Sequence, residues 1–189
     1  VGVPPTPPAA AGLKVEVAPD TPAAGVILQG QVRAPLLKLN FTNGDTTEGK
    51  VTEITLKRIG IGNDGLLTAV YLVDEQGNRV GDETIFSNGV AKFTNSAGIF
   101  SVAAGATKSI LVVGDVVSSG GSGYTIGVSL TDVKGTFTAL NATLPINGNI
   151  MSIGAQVTTR VDIDSGDAHT ATTSIQAGKT DQTVWEGTI

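Results

Sequence analysis

The chain has 189 residues, among them 25 glycines, 8 prolines and no cysteine, with 15% charged residues and a net charge of −5. Without cysteine there are no disulfides, zinc-thiolate sites or thiol nucleophiles. A mildly acidic, charge-poor chain lacks the basic face that phosphates require, so nucleic acid is not an expected partner, and no apolar run is long enough for a transmembrane helix.

Val1–Gly12 (VGVPPTPPAAAG) is proline-rich and reads as a stiff, extended arm. The start at Val1 reads as the mature end of an exported chain. Leu13–Val17 (LKVEV) follows, with Leu13, Val15 and Val17 on one face and Lys14 and Glu16 on the other. That period of two predicts a strand, and Pro19 and Pro22 stop it. Residues 1–18 are therefore read as an arm carrying a possible donor strand, and residues 19–189 as a single β-sandwich domain.

Next come Gly25–Leu28 and Ala34–Thr42, the latter with Leu37, Leu39 and Phe41 alternating with polar residues. Asn43-Gly44-Asp45 is a turn signal, Val51–Ile59 a strand and Asn63-Asp64-Gly65 a second turn. Leu66–Val73 is apolar on both faces, as expected in the middle of a sandwich. Arg79–Phe86 returns after the Asp74–Asn78 loop as the second half of a hairpin. Val90–Thr94, Gly98–Val102 and Thr107–Val113 are further strands. Ser118–Gly123 (SSGGSG) reads as a long loop inside one sandwich. Tyr124–Asp132, Thr136–Leu144, Gln156–Asp164, Thr170–Ile175 and Thr183–Ile189 complete about a dozen strands. The fold class is all-β, an immunoglobulin-like or jelly-roll-type sandwich. Thr183–Ile189 sets Trp185 and Ile189 on one face, and a final strand of this kind is either cropped or meant to pair.

Asp162, Asp164 and Asp167, with Gly166 to sharpen the turn, have the spacing of half a calcium loop and are the candidate metal ligands. The distal glutamate and flanking helices of a full loop are missing, and a polar strand end is the plainer reading. His169 stands alone, with no nucleophile-elbow pattern, and no phosphate loop is complete. The chain is therefore expected not to be an enzyme. Asn40-Phe41-Thr42 and Asn141-Ala142-Thr143 fit the glycosylation sequon.

Between Lys50 and Val116, the runs KVTEITLKRIGIGNDGLLTAVYLVDEQGNRVGD, FSNGVAKFT and FSVAAGATKSILVVGDV resemble the immunoglobulin-like repeat of prokaryotic cell-surface and S-layer-type proteins. The resemblance implies an extracellular location. It also extends to subunits of filaments and tubes, some of them calcium-binding, in which a strand of one subunit completes the sheet of the next.

The expected function is a structural subunit of a surface assembly, its partners copies of itself, with Leu13, Val15 and Val17 as the donated residues and Trp185 as second choice. Strand addition to an open edge is a known mode of recognition, and head-to-tail addition makes open fibres. A cell-surface module binding a glycan or another protein is the alternative.

Overall fold

The computed structural model describes residues 10–156. The chain divides into two compact units, Val1–Gln156 and Val157–Ile189, and all described residues lie in the first. The candidate metal ligands Asp162, Asp164 and Asp167, together with His169 and Trp185, lie outside the described residues.

The described part is built from strands. They are β1 (Leu13–Val17), β2 (Val26–Leu28), β3 (Ala34–Asn43), β4 (Gly49–Ile59), β5 (Leu67–Val73), β6 (Arg79–Thr84), β7 (Val90–Thr94), β8 (Phe100–Val102), β9 (Thr107–Val116), β10 (Thr125–Gly135), β11 (Leu140–Asn141), β12 (Ile146–Asn147) and β13 (Met151–Gly154). One short 3-10 turn, Asp64–Leu66, precedes β5. The first sheet has the order β11-β1-β3-β9-β5-β6. The second runs β2-β13-β10-β4-β7, with β12 also on β10 and β8 also on β4.

The two sheets face each other because alternate residues of both are apolar. Leu39, Phe41, Ile110, Val112, Val70 and Leu72 from the first pack in one cluster with Ile54, Leu56, Phe93, Ile126, Val128 and Leu130 from the second. This is a β-sandwich, as the period-two patterning predicts. Phe41 lies edge-to-face on Phe100 with ring centroids 5.1 Å apart, a favoured aromatic geometry.

Three details correct or sharpen the sequence reading. β1 does not stand apart from the sandwich. It pairs antiparallel with β3, from Leu13 opposite Asn43 to Val17 opposite Leu39, and Leu13 and Val15 are buried in the chain's own core. The expectation that Leu13, Val15 and Val17 form a donated strand is therefore corrected: this apolar ribbon is used at home, where β3 offers an adjacent ladder.

Of the strand predicted over Thr136–Leu144 only Leu140–Asn141 forms one, and a further short strand, β12, follows it on the other sheet. β11 lies beside β1, the chain crosses over through a cis Leu144–Pro145 bond, and β12 then pairs with β10.

The two-sided apolarity of β5 also has a specific outlet. Tyr71 and Val73 point away from the main core and form a small outer cluster with Val113. The guanidinium groups of Arg33 and Arg79 lie 6.0 and 5.8 Å from the Tyr71 ring centre, so cation–π contacts cover this cluster.

Candidate functional site

The sandwich can meet another chain where its edges leave backbone unpaired. A sheet edge exposes a row of N–H and C=O groups that any extended chain can pair with, and folded proteins normally blunt such rows. The edge formed by β6 carries Arg79, Asp82 and Glu83, with an Arg79–Glu83 ion pair at 2.9 Å, and Gly81 sits there at φ +72°. Charge and irregular backbone both disfavour pairing. β6 also lies against β7, closing that side of the sandwich.

On the other sheet β2 and β7 are the end strands, and β7 is the one that lies against β6. In β2 the N–H of Leu28 donates to Gln31 Oε1 at 3.0 Å, and the Leu28 C=O accepts from the Gln31 N–H at 3.0 Å. The edge groups of Leu28 are thus already satisfied.

β1 differs. The Gly12 carbonyl accepts from Gly44 N–H and the Ala18 N–H donates to the Lys38 carbonyl. Even-numbered positions therefore turn their backbone polar groups toward the β3 side. Odd-numbered positions turn outward, as Leu13 N–H shows by donating to the Ala139 carbonyl at 2.7 Å. The parallel β1–β11 ladder ends at Lys14 opposite Asn141. Beyond it, no strand lies beside Val17 among the described residues.

A groove of about 640 Å³ opens at this point, lined by Val15, Val17, Leu140, Ala142, Ile146 and Asn147 among others. Val17, one of the lining residues, is 38% exposed. On the outer face Lys14 Nζ and Glu16 pair at 2.7 Å.

One carboxylate holds the edge in place. Asp45 Oδ1 accepts from the Gly12 N–H at 2.8 Å and from Thr138 Oγ1, while Oδ2 accepts from the Thr138 N–H at 2.9 Å. Three distant stretches of chain meet on it: the start of β1, the β3–β4 turn and the β10–β11 loop. Hydrogen bonds from Thr138, side chain first and then backbone, hold the Asp45 carboxyl below its ordinary pKa; the Gly12 N–H acts in the same direction and desolvation opposes them. Asn141 adds a second tie, its Nδ2 donating to the Ala11 carbonyl at 2.7 Å.

The sequence reading placed Asp45 only in a turn. That much was legible, because Asn43 Oδ1 accepts from the Asp45 N–H at 2.9 Å in the manner of an Asx turn. The partner Thr138 carried no local signal.

Of the two sequons, Asn40 lies on the outer face of β3, where its Oδ1 accepts from Ser109 Oγ at 2.8 Å, and Asn141 lies on β11. Among the described residues no group of three or more metal-ligating side chains occurs, and no helix is long and apolar enough to cross a membrane.

No protein-family model matches the chain, and no curated protein matches it. A solved structure titled "AvmM Catalyzes Macrocyclization in Alchivemycin A Biosynthesis" is similar at 11% identity and a TM-score of 0.37, over 78% of this chain and 90% of that one. The expectation that this chain is not an enzyme is withdrawn on that finding, since the neighbour's title names a catalyst. At that TM-score the likeness assigns no activity to this chain.

Proposed function

We propose that this chain is a structural domain of an extracellular surface assembly, and that the open edge of β1 accepts an extended strand from a neighbouring copy. The observation that carries the reading is the outward-facing backbone of Val17, left without a strand beside it among the described residues, on a groove lined by both polar and apolar side chains. The β6 edge is charged and lies against β7, and the Leu28 groups of the β2 edge are capped by Gln31. The role of Leu13–Val17 is thus reversed from the one its sequence suggests: it receives a strand.

Magnitudes set how such an addition behaves. Only a few residues of β1 are open, so an incoming strand makes about two to four backbone hydrogen bonds, each about 1 kcal/mol net. One apolar side chain entering the groove adds about 1.5–3 kcal/mol. Association costs on the order of 4–15 kcal/mol. A single addition in free solution is therefore weak, and assembly depends on high local concentration or repeated contacts, as on a crowded surface.

The test is sedimentation and negative-stain electron microscopy of the full chain over a wide concentration range, with Val17→Pro alongside. Proline removes the outward N–H of Val17 and leaves the β3 side of the strand untouched. Concentration-dependent polymers in the parent and their loss in the variant support the reading. A parent that stays monomeric throughout, or a variant that assembles equally well, overturns it.

A further inference from the structure

The edge of β2 is the second place where this fold can add a strand, and a side chain of the same chain closes it. β2 pairs in parallel with β13, Ile27 opposite Ile153. The Ser152 N–H donates to the Gly25 carbonyl and the Gln29 N–H to the Gly154 carbonyl. Odd-numbered positions thus face β13, and Val26 and Leu28 turn their backbone groups outward. The two residues are 69% and 46% exposed and carry no charge. Nothing in Val26–Leu28 supplies the lysine, proline or bulge that usually protects an edge.

We infer that Gln31 is the guard of this edge, and that the partner it keeps away is a second copy of the chain through antiparallel β2–β2 pairing. The register is self-complementary. A two-fold axis at Ile27 sets Val26 of one copy opposite Leu28 of the other, twice, and both positions present outward N–H and C=O groups.

Each of the four hydrogen bonds in that pairing uses a Leu28 group from one copy or the other. Gln31 engages both Leu28 groups at once, its side-chain Oε1 on the N–H and its backbone N–H on the C=O, each at 3.0 Å, so that Gln31→Ala frees the Leu28 N–H and leaves the turn bond to the C=O. Gln31 is itself anchored, because its carbonyl accepts from the Val116 N–H on β9 at 2.9 Å. The guard thus sits on a fixed turn. Its effect is local: it closes the β2 end of the second sheet. The inference stands independently of what β1 binds.

The absence of native cysteine allows a clean test. Full-length V26C and L28C variants, each also carrying Gln31→Ala, are mixed under mild oxidation. Residues opposed in a hydrogen-bonded antiparallel pair have Cα atoms about 5.5 Å apart, within the span of a disulfide. The mixture is expected to give at least tenfold more V26C–L28C heterodimer than the same mixture with Gln31 intact. Gln31→Glu keeps an Oε1 acceptor and is expected to restore the low yield. Equal yields with and without Gln31 overturn the inference.

If Gln31→Ala does not fold, the parent chain decides the matter. By hydrogen exchange, the capped Leu28 amide is expected to exchange at least tenfold more slowly than the Val26 amide. Equal rates overturn the inference.

Discussion

The Thr138 N–H donates to the Asp45 carboxylate at 2.9 Å across 93 residues of sequence. With the Gly12 N–H on the same carboxylate, this contact fastens the outermost strands of the first sheet to the body of the sandwich. Asp45 ties the start of β1 to the loop that leads into β11.

Asp45→Asn is therefore expected to loosen that edge first. The amide keeps one acceptor oxygen, and its nitrogen cannot accept the remaining N–H donor. Hydrogen exchange at Leu13 and Thr138 should rise in the variant, with little change at Ile110 or Val128 in the core.

The same contact makes the edge acid-sensitive. The Asp45 carboxyl has a folded-state pKa below its ordinary value. Its contribution is complete above the unfolded-state pKa and is lost as pH falls through the folded-state one. Denaturant midpoints of the parent should fall with acid over that window, and Asp45→Asn should flatten part of the fall. A variant with the full parental slope would remove Asp45 from the explanation.

Backbone direction along β1 gives a paired prediction. Val17→Pro deletes an outward N–H and should leave stability nearly unchanged. Glu16→Pro deletes an N–H that faces β3 opposite Asn40, and should cost about 1–3 kcal/mol through the lost ladder bond. Urea unfolding of the two variants checks the alternation directly.

Asn43 is buried without exposure, and its Nδ2 donates to the carbonyls of Thr47 and Val102 at 2.8 and 2.9 Å. Asn43→Leu leaves the buried Val102 carbonyl unpaired, while the carbonyl of exposed Thr47 can turn to water, and it is expected to cost about 1–3 kcal/mol. Phe41→Ala, in the centre of the core, should cost about 3–5 kcal/mol by removing a fully buried ring. Both are read as shifts in the guanidinium midpoint with unchanged slope.

Sequence alone determined the local facts of this protein. Alternating residues in Leu37–Phe41 and Ile126–Leu130 named their buried faces, and Asn-Gly and Asp-Gly steps named the turns. A sandwich followed, because with no helical stripe in the sequence to cover them two half-apolar sheets can bury those faces against each other. Tertiary structure decided which edges stay open. A period of two says which side of a strand is apolar and nothing about which strand lies next to it. That is why Leu13–Val17, written like a ribbon to be given away, rests in its own sheet. The tie between Asp45 and Thr138 and the cap of Gln31 on Leu28 have the same origin. Each is a hydrogen bond that forms only after packing has brought its two ends together, so neither leaves a mark in the spacing of residues.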